Sequence, residues 1–290
     1  KIYTDLMIIN LFPNVHLLFT DCILVIKQMK NLMCIHADDY GYSQNISKDI
    51  LFCIDNGLVN SVSVMIHADE KSLDNLIEKK LLNISLHLNL TSLNLDQRYE
   101  NYHQLNNLNF VKLFFAGKKI KQISKKEIEF QISKFKNKFK DKKLIIDGHH
   151  HIQVIPWIFK ILKNQNEDVQ IRIPNEKIFI FSYKFLFNLV FWRNLFALII
   201  LKILSINKNK FSVKNFAGLL YSGIYNKNTL VKHIRKMIKR DTSFEITFHP
   251  GSGCISEKNI FKKSHFKYVT SPMRKKELNL LTTTELDNIF

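Results

Sequence analysis

Glycine and proline are scarce in this 290-residue chain, with eight and five copies. There is no Pro/Gly/Ser-rich linker and no fixed-period repeat, so one domain around one sizeable core is expected. Cysteine is as sparse. Cys22, Cys34, Cys53 and Cys254 include no C-x-x-C pair. A chain this long needs no cross-links, so they read as reduced thiols of a cytoplasmic protein. Acidic residues are outnumbered, 25 Asp+Glu against 43 Lys+Arg, for a formal net charge of +18. Such an excess can serve nucleic acid, an anionic membrane surface or an acidic substrate. Zinc-finger spacing and an aromatic–basic RNA signature are both missing, and the lysines form no single block. A chain-wide bias explains the charge, and no nucleic-acid partner is expected.

Clean apolar runs of membrane-spanning length are missing too. The run "VHLLFTDCILVI" is short and broken by Asp21, whereas a span needs ~20 residues. It also lacks a small-residue cleavage site for a secretory signal. Met29 opens "MKNLMCIHADDYG" like a natural start. Residues 1–28 are therefore expected to lie outside the catalytic fold and residues 29–290 to form it. The stretch from Ile178 to Ile206 is very apolar but carries Lys184, Arg193 and Lys202. The plainer reading is a pair of core helices. The alternative is a lid or interfacial helix that meets lipid or a lipid-linked substrate, peripherally at the inner membrane surface.

What the chain does contain is an alternation of short apolar runs and helical patterns. "LMCI", "VNSVSVMI", "NISLHLNL", "KLIID", "VQIRIP" and "FEITFHPG" read as strands. Between them, "ISKDILFCIDNG", "EKSLDNLIEKK", "PWIFKILKNQN" and "NTLVKHIRKMIKR" read as helices, and "MRKKELNLL" as the last one. "KKEIEFQISKFKNKF" places Ile128, Ile132, Phe135 and Phe139 on one helical face. Strands separated by helices argue for a parallel sheet, here a distorted, TIM-like (β/α) barrel in a single α/β domain.

Polar outliers sit where such a fold gathers its chemistry, at the carboxyl ends of strands. Asp38 and Asp39 follow the first strand, His87 lies in the third, and Asp147, His149 and His151 follow the fourth. Arg172 lies in the fifth strand, and His249 ends a late one. Each alone has a plain explanation: a turn, a core histidine, a surface tract, a structural ion pair. Together they supply carboxylate and imidazole ligands, a spare carboxylate, a spare imidazole and a cation, a set suited to metal-assisted hydrolysis.

The ordered motifs "HADDYG", "SLHLNLT", "IDGHHHIQVIP", "IRIP" and "HPG" resemble those of the YdjC-like carbohydrate deacetylases. That family includes chitooligosaccharide and hopanoid-biosynthesis-associated deacetylases. The resemblance implies a distorted (β/α) barrel that removes acetyl groups from N-acetylated sugars with one divalent metal ion, Mg²⁺ or Zn²⁺. It implies Asp39, His87 and His149 as ligands and Asp38 as general base, with His249 matching the late histidine before Pro-Gly. Gln153 stands where many members carry histidine, and a carboxamide can be neither acid nor base. In an extended segment His151 would point the same way as His149 and reach substrate, while His150 faces away.

The expected activity is hydrolysis of the N-acetyl group of an amino sugar or glycoconjugate, giving acetate and a free amine. Arg172 would stabilise the oxyanion and His249 or His151 would protonate the leaving amine. Two rivals stay open: a phosphoesterase on the same ligands, and a basic, non-enzymatic binding protein. The sequence also leaves a homodimer open.

Overall fold

The computed structural model describes residues 33–92, 108–165, 169–212, 215–240, 243–260 and 263–284. The leader expected over residues 1–28, with Cys22, lies outside these residues. The strands are β1 Met33–Tyr40, β2 Ser61–Val64, β3 Asn83–Leu88, β4 Ile145–Gly148, β5 Gln170–Ile171, β6 Asn215–Ala217 and β7 Phe244–Phe248. The helices are α1 Gln44–Asn56, α2 Glu70–Ile77, α3 Phe110–Phe114, α4 Lys118–Lys138 and α5 Pro156–Lys163, then α6 Leu189–Leu204, α7 Lys227–Ile238, α8 Lys263–Val269 and α9 Pro272–Thr283.

The seven strands are parallel and ordered β5-β4-β3-β2-β1-β7-β6. Chain order is kept around the sheet, which curls but stays open between β5 and β6. The result is the expected TIM-like α/β fold in one domain, as a half-barrel. β1 is buried along its whole length, which suits a central strand covered on both faces.

Local sequence explains the helix boundaries. Asn109, Asn188 and Asn226 each accept a backbone N–H of the first turn of α3, α6 and α7, and Ser43, Asp69 and Ser271 do so for α1, α2 and α9. Such caps are each worth ~1 kcal/mol. Pro156 and Pro272 open α5 and α9, where a missing N–H costs nothing. In α4, Ile128, Ile132, Phe135 and Phe139 form the buried face that their spacing predicts.

Side chains tie the open seam at its carboxyl end. Buried Glu176, beyond β5, accepts the backbone N–H groups of Leu219 and Leu220, beyond β6, at 2.8 and 2.9 Å. Burial pushes this carboxyl up to about 7. Asn194 of α6 donates to the carbonyls of Leu220 and Ser222, so α6 lies over the same seam.

The segment 178–206 departs from the favoured expectation of two core helices. It forms a short 3-10 turn, Tyr183–Phe187, followed by α6 alone. Only Phe191, Asn194, Leu198 and Leu201 of α6 are buried. The half-barrel offers one surface at the seam, and among the described residues nothing covers the opposite apolar face. Among the described residues no helix is long and apolar enough to cross a membrane.

Candidate metal centre and active site

The site begins with an irregularity in β1. His36 and Ala37 pair with Ser61 and Val62, but the next partner of β2, Val64, meets Tyr40. One extra residue is thus inserted around Asp38-Asp39, a β-bulge, which re-aims side chains. Asp39 takes a left-handed backbone, φ 73°, which aspartate tolerates better than most residues. Simple alternation would turn these neighbours to opposite faces; the bulge lets both serve one site. Gly41 completes the turn at φ +85°, where a Cβ would lie 2.7 Å from both Ala68 Cβ and the Met65 carbonyl oxygen.

Asp39 Oδ1 lies 3.2 Å from His87 Nε2 and 3.0 Å from His149 Nδ1. All three residues are buried, and one donor atom from each falls within 4.8 Å of the others. Two ligands ~2.1 Å from one ion lie roughly 3.0–3.4 Å apart, so this spacing suits a shared divalent cation. The tautomer of His87 agrees as well. His87 Nδ1 donates to Asp147 Oδ1, leaving Nε2 as a buried lone pair with no hydrogen-bond partner. An imidazole steered by a carboxylate in this way is the usual metal-ligating arrangement. Ser85 in turn donates to Asp147 Oδ2 at 2.7 Å.

Charge points the same way. Among the described residues, Asp38, Asp39, Asp147 and Glu245 are paired with two permanent cations, Arg172 and Arg274. With neutral imidazoles two negative charges remain, matching one dication. Burial by itself opposes a proton on His87, but Asp147, then Asp38 and Asp39, outweigh it and push the imidazole up to about 10.

Asp38 sits beside this group without joining it. It accepts from Arg172 Nη1 at 2.9 and 3.0 Å and from Ser63 at 2.8 Å. Burial alone would raise its carboxyl; Arg172, then His36 and His87, reverse this and hold it well below the usual carboxylate range. His249 follows β7, with Nε2 3.7 Å from Asp38 Oδ2. Its backbone N–H is fixed by Glu277 at 2.6 Å. His249 lines a cavity of about 320 Å³ together with Arg193, Ser222, Lys267, Tyr268 and Arg274.

Two expected positions differ in detail. Arg172 lies just beyond the two-residue β5, and its guanidinium spans Asp38, Asp147 and Glu245 at 2.9, 2.9 and 2.6 Å. Residues 149–154 are not extended. They form a 3-10 turn in which His150 and His151 are left-handed, φ 57° and 56°. The chain must reverse between β4 and α5, and two such residues do it at ~1–3 kcal/mol each. His151 therefore does not follow the direction of His149; its ring packs edge-on to Phe216 at 5.8 Å. Burial holds it down to about 3. His150 is exposed on one side, and Gln153 is structural, donating to the Arg172 carbonyl at 3.0 Å.

Sequence reasoning missed Arg274 and Glu277, one turn apart on α9. Arg274 donates to Asp39 Oδ2 at 2.6 Å and to the Gly251 carbonyl at 2.7 Å. It also overlooked Ser63 and Ser85. Their alternation with apolar neighbours in "SVSV" and "SLHL" was the available signal; a helical Arg on an otherwise ordinary amphipathic pattern gave none.

A parallel half-barrel with a buried Asp-His-His group at the carboxyl ends of its strands, one that could hold a metal ion, places the chain in the class of TIM-like α/β folds. Within that class the chain belongs to the YdjC-like protein family, whose model matches residues 32–290. This is a family of carbohydrate-processing enzymes. Among solved structures, the chain is similar to an Enterococcus faecalis V583 protein provisionally described as a cellobiose-phosphate cleavage protein, at 16% identity and TM-score 0.58 over 89% of this chain and 92% of that one. That likeness speaks to the fold. No curated protein matches the chain significantly.

Proposed function

We propose that the protein is a carbohydrate N-deacetylase, hydrolysing the acetamide of an N-acetylated sugar or glycoconjugate to acetate and a free amine. The observation that carries this is the division between two adjacent carboxylates. Asp39 is aimed at two imidazoles, while Asp38 is held ionised outside that group, beside His249, which lines a cavity. Asp39, His87 and His149 would hold the metal, which supplies Lewis acidity to polarise the acetamide carbonyl and acidify water. Two imidazoles favour Zn²⁺ or a similar transition metal, with Mg²⁺ the alternative.

The remaining work falls to side chains. Asp38 accepts the proton of the attacking water through Oδ2, the oxygen not used by Ser63. His249, on the cavity wall, delivers a proton to the departing amine. His151 is a weaker candidate for that step because it is buried and held neutral. Arg172 already serves three carboxylates, so its role is to position Asp38 and Asp147. Buried Cys34 and Cys53 fit a reducing cytoplasm.

A phosphoesterase reading is favoured by two observations: Arg193 and Lys267 line the same cavity, and the structural neighbour's description involves a cellobiose phosphate. One screen decides. Acetate and phosphate release are measured over N-acetylated and phosphorylated sugars, with and without chelator. Chelator-sensitive acetate release supports the deacetylase. Phosphate release without acetate sinks it.

A further inference from the structure

Among the described residues, one apolar face of α6 is uncovered. Trp192, Phe196 and Ile203 are 50, 67 and 60% exposed, and Leu189, Ile199 and Ile200 share that face. The preceding turn adds Phe187 at 85%. Two other connections at the same end of the sheet behave alike. Val111 and Phe115, by α3, and Ile255, beyond β7, are all exposed. Both α3 and α6 touch the turn that carries His149. The mouth of the site is therefore rimmed by apolar side chains, an arrangement that marks an interaction surface.

The charge of this stretch selects the occupant. From Lys177 to Arg240 there are 13 Lys and Arg and no Asp or Glu. Lys184 and Arg193 are exposed beside the apolar residues. A second copy would bring the same positive face against itself in a chain of net charge +18, and like charges oppose that pairing. Apolar residues that include a tryptophan, flanked by lysines without acids, are complementary to the headgroup region of an anionic bilayer.

We infer that α6 and the turn before it seat the protein peripherally on anionic lipid, with the mouth of the active site at the headgroup layer. The helix lies in the plane of the interface and does not cross it. Arg193 lines the cavity that ends at His249, so the docked face and the site are joined by one continuous path. Docking stands apart from the deacetylase reading, because vesicle binding is read without substrate and acetate release without vesicles.

The full chain is tested by flotation with vesicles of phosphatidylcholine alone or mixed with phosphatidylglycerol. Binding to the anionic vesicles should be at least ~tenfold stronger, and should weaken markedly at about 0.5 M salt. The chain has two tryptophans, and half-buried Trp157 is tied to the Leu113 carbonyl, so a blue shift on binding reports Trp192. The double substitution Phe196→Ser with Ile203→Ser should lower binding at least ~tenfold, leaving acetate release from a water-soluble substrate unchanged. Should that variant fail to fold, Trp192→Phe must keep binding and lose the blue shift. Equal binding to neutral vesicles overturns the inference. So does a blue shift that survives Trp192→Phe, or a chain that stays off anionic vesicles, whether monomeric or paired through α6 in sedimentation.

Discussion

Replacing each of the two adjacent aspartates by asparagine separates their roles. In Asp38→Asn, the amide oxygen can stay in the Oδ1 position and keep Ser63 at 2.8 Å and Arg172 at 2.9 Å. Nδ2 then replaces Oδ2, 3.7 Å from His249 Nε2, and loses the second hydrogen bond from Arg172 Nη1, 3.0 Å away. The fold and metal group are disturbed little, because Arg172 retains Asp147 and Glu245. We expect a stability loss of roughly 1–3 kcal/mol, the scale for one weakened buried polar partner. What disappears is the proton acceptor, so kcat should fall by ~10²–10⁴, or ~3–5 kcal/mol of transition-state stabilisation, with the metal retained. Asp39→Asn is a different perturbation. One oxygen faces two imidazoles and the other takes Arg274 Nη1 at 2.6 Å. An amide must turn its NH₂ either into the ligand group or against the guanidinium. Metal affinity should fall first, with activity partly restored by excess metal. Metal titration and steady-state kinetics on both variants provide the assay. If Asp38→Asn loses metal while Asp39→Asn keeps it, the roles are reversed; if both turn over at the wild-type rate, the site lies elsewhere.

His87→Ala should lose the metal and the activity together, and full metal occupancy by elemental analysis would remove His87 from the ligand set. Arg274→Met leaves Asp39 Oδ2 unpaired, so metal affinity should drop by ~10–100-fold, the cost of losing a partner of a ligand; an unchanged affinity would make the contact incidental. Burial holds His233, beside Tyr225 Oη, down to about 4. Its folded value is depressed relative to ~6.5 unfolded, so stability is intact above that pH and should fall by about 3 kcal/mol as pH drops to 4. Chemical denaturation across that window should show a shallower slope for His233→Phe, and equal slopes would refute the assignment. A chain beginning at Met29 should fold and bind metal as the longer chain does; insolubility would place residues 1–28 within the domain.

Most of the fold was legible because each strand and helix agrees with its own local pattern. α4 buries the four residues its spacing selects, and α5 and α9 begin at prolines. The motifs carrying the proposed ligands Asp39, His87 and His149 could be picked out in order because a parallel sheet returns to the same end after every helix. What could not be read was backbone reversal within a motif. The bulge at Asp38-Asp39 and the left-handed pair His150-His151 have no compositional signal, since non-glycine residues adopt them only under tertiary constraint. The exposed face of α6 was misjudged for a related reason. Hydrophobicity reports how badly a face wants cover, while the number of surfaces available to cover it is a property of the assembled half-barrel.

The two buried arginines explain how so many carboxylates can coexist in one site. Unpaired, each buried carboxylate would cost several kcal/mol. Arg172 and Arg274 reduce the excess from four negative charges to two, which neighbouring imidazoles can share by holding a proton. They also choose which oxygens stay available. Arg274 takes Asp39 Oδ2 and leaves Oδ1 for the imidazoles. Arg172 takes Asp147 Oδ2 and leaves Oδ1 to orient His87. A lysine at either place would supply the charge without this selection, because a point charge lacks the planar fork that spans two or three acceptors at once. The arginines thus act as fixed internal cations, and the site they leave is two charges short, with one oxygen and two imidazole nitrogens already turned toward the gap.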